Sequence, residues 1–183
     1  MTLTNRIQNL MQALCQEFPE RQDRLQLAFL AAINDEPFYL YGRTGSGKNF
    51  MINRLLAAFK KPRFIEMGSR PQEIPGSIDD YDVILFKGFN PIDDATKECV
   101  RNALQKRKHT TLILSSDVRP ENAMGRADIV DEITLTICMP DNLSSESLCM
   151  LLQNYSLSED FKAPEEYTIS EEEKTKWADD NVR

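Results

Sequence analysis

A single histidine and four widely spaced cysteines, Cys15, Cys99, Cys138 and Cys149, are all the imidazole and thiol that the 183-residue sequence offers a metal. With no C-x-x-C pair among them, neither a zinc centre nor a disulfide framework is expected. Cys99 and Cys138 fall in apolar periodic patterns and are expected to be small buried side chains in a reducing cytoplasm. No apolar run approaches the roughly 18 residues of a membrane span. The polar start, Met1 to Asn9, also lacks the apolar stretch of a signal peptide. A soluble, cytoplasmic chain with no membrane role is therefore expected. Basic excess is missing too: 22 Lys and Arg stand against 29 Asp and Glu, a net charge of -7. Electrostatic capture of nucleic acid needs the opposite sign, so no nucleic-acid partner is expected.

What is present is globular composition, 41% hydrophobic and 28% charged, at a length that suits one domain. The mean hydropathy of -0.45 comes largely from one end. From Ser156 to Arg183 there are nine acids and four bases, which is -5 of the -7. The expected division is a body over residues 1–155 and an acidic, partly helical extension over residues 156–183.

Along the body, Ile7, Leu10, Met11, Leu14, Cys15 and Phe18 make one apolar helical stripe that stops before Pro19. A second helix spans Glu20 to Ile33 and is broken by Asn34-Asp35. Five short apolar runs then read as strands: Phe38 to Tyr41, Phe64 to Met67, Val83 to Phe86, Thr111 to Leu114 and Ile133 to Ile137. Helical patterns lie between them, one through Phe50, Ile52, Leu55, Leu56 and Phe59, another through Cys99, Val100, Ala103 and Leu104. Strands apolar on both faces that alternate with helices predict an α/β fold with a five-stranded parallel sheet sandwiched by helices. The basic run Lys106-Arg107-Lys108 complements the dipole of the helix it ends. Asp141-Asn142 and Ser144 are placed to cap a helix carrying Leu148, Leu151 and Leu152, and Ser170 a last helix from Glu171.

The most specific signal is Gly42-Arg43-Thr44-Gly45-Ser46-Gly47-Lys48-Asn49, directly after one strand and directly before a helix. It fits the P-loop (Walker A) pattern except at its last position. Glycines let successive N–H groups converge on an anion-sized hole, the helix N-terminus adds its dipole, and Lys48 supplies a full charge. Asn49 stands where a hydroxyl normally ligates Mg²⁺ beside the phosphates, and its amide oxygen is a weaker substitute. All eight residues are candidate ligands of ATP or ADP, with Mg²⁺ weak or absent.

From Arg6 to Trp177 the order of elements resembles an AAA+ ATPase of the MoxR family, RavA-like branch, in a shortened form. The resemblance rests on the helix pair ending in Leu30-Ala31-Ala32-Ile33-Asn34-Asp35-Glu36, on Tyr39-Leu40-Tyr41-Gly42 with its P-loop, and on Arg70-Pro71-Gln72-Glu73-Ile74-Pro75-Gly76. Ser170-Glu171-Glu172-Glu173 and Trp177 are similar to the segment that follows the family's core. It implies a strand order of 5-1-4-3-2, without the helical lid domain, which would have to lie beyond Arg183.

The resemblance also implies hydrolytic residues that this chain replaces. The third strand should end in Asp-Glu, the Asp for Mg²⁺ and the Glu for the attacking water, but Lys87-Gly88 stands there. Lys87 reads equally as a substitute cation near the phosphates or as a solvated strand end. Asp82 is at the wrong end of that strand, and Asp93 and Asp94 lie past its tip. Asp117 occupies the position of the water-orienting Asn, where local turn formation is the simpler reading. Arg126, in Met124-Gly125-Arg126, matches an arginine that reaches a neighbouring subunit's nucleotide, and reads equally as an isolated surface arginine. The hairpin facing the ring pore is missing, because Gly76 leads almost at once into Ser77 to Asp82 and the third strand.

The leading functional reading is ATP binding with impaired hydrolysis, as a structural or regulatory subunit. The alternatives are an active Mg²⁺-dependent ATPase or kinase using Asp93, Asp94 or Asp117, and an interaction protein with a relic P-loop. By resemblance, the partners would be further subunits of a homo- or hetero-oligomer, or a protein with a von Willebrand A domain.

Overall fold

A computed structural model describes residues 3–16, 20–68, 73–90, 93–119, 129, 133, 135–141, 143–147, 149 and 161–181. Two helices open the chain, α1 (Leu3–Cys15) and α2 (Gln22–Ile33). They are followed by β1 (Phe38–Tyr41), α3 (Lys48–Leu56), β2 (Phe64–Met67), β3 (Val83–Lys87), α4 (Asp94–Lys106), β4 (Thr111–Ser116) and β5 (Leu135–Cys138). A final helix, α5, covers Glu171–Asn181. All strand pairs are parallel, and the spatial order is β2-β3-β4-β1-β5, the order the resemblance implies.

The apolar runs become strands because the sheet is covered on both sides. Successive strand residues face opposite ways, so each run feeds two cores. Phe38, Leu40, Val83, Leu85, Ile113 and Ile137 pack under α1, α2 and α3. Tyr39, Tyr41, Ile84, Phe86, Leu112 and Leu114 pack with Cys99, Val100 and Ala103 of α4. Every residue of the central strands β1 and β4 is buried. Burial of such a side chain is worth about 1.5–3 kcal/mol, which is why these strands tolerate no polar alternation. Edge strands differ. On β2 only Met67 is fully buried, and on β5 only Ile137. Cys138 is therefore exposed at the edge, contrary to its expected burial, whereas Cys99 is buried as expected.

Helix ends follow side-chain chemistry. Asp93 caps α4 by accepting from Thr96 N at 3.0 Å. Ser170 and Glu173 form a reciprocal capping box on α5, Glu173 Oε2 accepting from Ser170 N at 3.0 Å. Ser144 Oγ accepts from Ser147 N at 3.2 Å, as a capping serine should; Leu148, Leu151 and Leu152 lie outside the described residues. In the basic run, Arg107 donates to the Asp35 carbonyl and Lys108 N donates to Asp79, so the run is tied to neighbouring loops.

The acidic end is docked onto the body. Ile169 makes a parallel bridge with Phe59 after α3, with Lys60 N donating to Ile169 O at 2.8 Å and Ile169 N to Ala58 O at 2.9 Å. Phe161 lies over the buried guanidinium of Arg54 on α3, 3.7 Å from Cζ to the ring centroid. Arg6 of α1 donates to both carboxylate oxygens of Glu173 and to Thr168 O. Lys174, 2% exposed, pairs with the buried Asp35 at the end of α2. Among the described residues, no helical lid follows the sheet.

Candidate functional site

The C-terminal ends of β1, β3 and β4 lie at one edge of the sheet, where open α/β sheets bind ligands. There the P-loop residues Gly42–Lys48 leave β1 and run into α3. Gly42 N donates to Ser116 O at 3.1 Å, which moors the loop to the end of β4, and Ser46 N donates to Arg43 O at 3.0 Å within the loop. Gly42 admits no side chain: a Cβ there would stand 2.4 Å from Ser46 Oγ and 2.8 Å from Met139 Cβ. Gly47, the residue before α3, has φ 88°, a left-handed conformation that glycine adopts without strain.

A cavity of about 520 Å³ opens between this loop, with Asn49 and Phe50, and a facing wall of Lys87, Gly88, Ser115, Ser116 and Asp117. Lys48 Nζ folds back over the loop and donates to the carbonyls of Gly42 and Arg43. Burial lowers the pKa of Lys48, and the nearby Asp117 carboxylate partly offsets this. An anion in the loop would relieve the same burial cost and give Lys48 a better partner than two neutral carbonyls.

The facing wall brings Lys87 and Asp117 to the loop. Lys87 pairs with Glu66 of β2 at 2.9 Å, both side chains nearly half exposed. The turn after β4 is closed by Ser116, whose Oγ accepts from Val118 N at 3.1 Å. Asp117, the expected turn former, lies in this bend and also lines the cavity. Arg43 and Arg119 both approach Asp141 beside the loop, at 3.5 and 3.8 Å. Tyr39 Oη donates to Val118 O at 2.8 Å, and burial pushes this phenol up to about 12.

The other acids are occupied elsewhere. Asp82 accepts from Arg63 N and from its guanidinium at the opposite end of β3. Asp93 caps α4, and Asp94 pairs with Lys97 at 2.8 Å on the surface. Arg126 and the segment 70–72 lie outside the described residues. Among the described residues, no cluster of three His, Cys, Asp or Glu could hold a metal. Asp117 is the one carboxylate on the described wall, and it faces an ammonium. One carboxylate facing an ammonium, one amide and two hydroxyls make a poor Mg²⁺ site.

Arg21 escaped the sequence reading. It precedes α2 and is 3% exposed, its guanidinium lying where a Gly47 Cβ would come within 2.9 Å of Nη1. Burial lowers its pKa, partly offset by Glu20. Its neighbour Glu20, at φ 59°, accepts from Ser147 Oγ at 2.6 Å. A charged residue just before a helix carries no local signal of such a role, and only the tertiary contact discloses it.

No protein-family model matches the chain. Among solved structures, it is similar to a "putative ATPase" from Cytophaga hutchinsonii with a TM-score of 0.67 at 11% identity. That match covers 97% of this chain and 63% of the other. The chain shares the α/β architecture of that protein. The chain thus spans under two thirds of the length of that neighbour, and at this identity the likeness speaks for architecture alone. Among the described residues, no helix is long and apolar enough to cross a membrane.

Proposed function

We propose that this chain binds ATP or ADP through residues 42–49 and hydrolyses ATP poorly, acting as a structural or regulatory relative of MoxR-type ATPases of the RavA-like branch. The observation that carries the reading is the contrast across one cavity. On one side stands a glycine-rich loop that departs from the P-loop pattern only at Asn49, moored at Gly42 and closed by Lys48. On the other, Lys87 and Gly88 stand where hydrolysis would need a metal-holding and a water-activating acid. Loss of a general base alone costs about 10²–10⁴ in rate, and Mg²⁺ has only weak or no purchase.

Calorimetry with ATP and ADP, together with a phosphate-release assay, tests this. Binding at sub-millimolar concentration that Lys48→Ala removes, without Lys48-dependent turnover, is expected. Failure to bind at millimolar nucleotide would sink the reading and favour an interaction protein with a relic loop. Asp117 on the cavity wall supports a second reading, an active ATPase, which predicts Mg²⁺-dependent phosphate release that Asp117→Ala abolishes. By the same resemblance, the chain works in the cytoplasm in a homo- or hetero-oligomer, or with a von Willebrand A domain protein.

A further inference from the structure

The two lysines of the cavity flank one strand. In the sheet register Lys87 of β3 stands opposite Ser115 and Tyr41 of β1 opposite Ser116, so the end of β4 lies between Lys87 and the root of the P-loop. Neighbouring strands are about 4.8 Å apart, which puts the β1 and β3 tips about 10 Å from each other across β4. Lys87 reaching in from the β3 tip and Lys48, which starts α3 but sets its Nζ on the Gly42 carbonyl beside the β1 tip, can close on a polyphosphate lying over Ser115 to Asp117.

Neither lysine is committed. Lys48 holds only the loop's own carbonyls. Lys87 holds Glu66 in a pair whose side chains are 43% and 46% exposed, a kind of contact that is weak and readily exchanged. A phosphate oxygen offers Lys87 a stronger, charge-assisted bond. Beneath the loop, the Ser46 hydroxyl and the Arg21 Nε are buried without hydrogen-bond partners among the described residues, in side chains more than nine-tenths buried. Ser46 lines the cavity and Arg21 lies against Gly47, so unmet polar groups sit on and beneath the loop. A divalent cation beside the same phosphates would meet the Lys87 ammonium, neutral Asn49, Ser115 and Ser116, and an Asp117 that already faces Lys48.

Building on the nucleotide reading above, we propose that the site takes nucleoside triphosphate in its metal-free form. Lys87 leaves Glu66 to hold the terminal phosphates in place of Mg²⁺. Free ATP carries about two more negative charges than its Mg²⁺ complex, and only the free form makes full use of both lysines. Mg²⁺ therefore weakens binding, the reverse of an ordinary P-loop site.

The test is calorimetry with ATP at constant ionic strength, in EDTA and in excess Mg²⁺, on the wild-type chain and on Lys87→Gln, Lys87→Asp and Glu66→Gln, each checked for folding by its thermal melt. Lys87 and Glu66 are surface positions, so the variants keep the core. The wild type is expected to bind more tightly in EDTA. Lys87→Gln should lose about ten- to a hundred-fold in EDTA, the range of one charge-assisted bond, and little in Mg²⁺. Lys87→Asp should reverse the preference, and Glu66→Gln should tighten binding in EDTA by releasing Lys87. Wild-type binding that strengthens with Mg²⁺, or a Lys87→Gln variant unchanged in EDTA, overturns this proposal while leaving the nucleotide reading standing. Absence of wild-type binding in both buffers overturns both.

Discussion

Replacing Lys174 by Met should destabilise the whole domain, although the residue sits in the acidic end. Its ammonium is 2% exposed and pairs with Asp35, whose side chain is 8% exposed, and it lies 3.7 Å from Glu171 and 5.8 Å from the Phe59 ring centroid. Met fills nearly the same volume, so the change removes charge rather than packing. Asp35 and Glu171 would then lose the buried ammonium between them, and breaking a buried pair from one side costs about 3–5 kcal/mol. For a chain of this size, that lowers Tm by about 6–20 °C. With m near 2–3 kcal/mol/M, it moves the urea midpoint down by about 1–2 M. The control is the double variant Asp35→Asn/Lys174→Met. Asn tolerates the left-handed backbone of position 35, at φ 56°, and removes the stranded charge, so much of the loss should return. Urea unfolding followed by circular dichroism on the wild type, the two single variants and the double variant gives the coupling energy. A Lys174→Met variant within about 0.5 kcal/mol of wild type would refute the burial of this pair and the docking of α5 that depends on it.

Two further outcomes follow from particular contacts. Gly42→Ala places a methyl 2.8 Å from Met139 Cβ and should cost about 1–3 kcal/mol by overpacking, read by chemical denaturation, with nucleotide affinity falling in parallel. The Arg6 hydrogen bonds hold Glu173 down at about 2, below its usual 4.5. Because the folded pKa is the lower one, this carboxylate stabilises the fold above the usual value and loses that contribution as pH falls toward 2. The stability gap between wild type and Glu173→Gln, measured from pH 6 downward, should therefore narrow across that window; a gap independent of pH would contradict it.

The sheet was legible because its central strands are short apolar runs buried on both faces, a pattern with no helical rival at that length. The phosphate loop was legible because its chemistry is local, eight consecutive residues between a strand and a helix. Boundaries slipped where strand ends are polar or half-exposed, β4 running on through Ser115-Ser116. The fifth strand runs from Leu135 to Cys138 rather than from Ile133 to Ile137, and Cys138 is exposed because an edge strand has fewer neighbours. The Ser170 capping box was readable three residues ahead of Glu173, but the destination of its helix was not. Lys174 and Glu173 find their counter-charges at Asp35 and Arg6, well over a hundred positions away, so a stretch that reads as solvated charge is part of the core's boundary. Arg21 against Gly47 is the same kind of contact at the site itself.

The bridge between Phe59 and Ile169 has a consequence for the order in which the protein is made. The helix that begins at Lys48 is followed at once by Phe59, and its cover, Phe161 and Ile169, is synthesised more than a hundred residues later. At about 5–20 residues per second, the phosphate loop and its helix leave the ribosome roughly 5–20 seconds before the segment that seals their underside. During that interval Phe59 and the guanidinium of Arg54 face water or whatever else binds nascent chains. The loop is made more than a hundred residues ahead of the segment that completes its foundation.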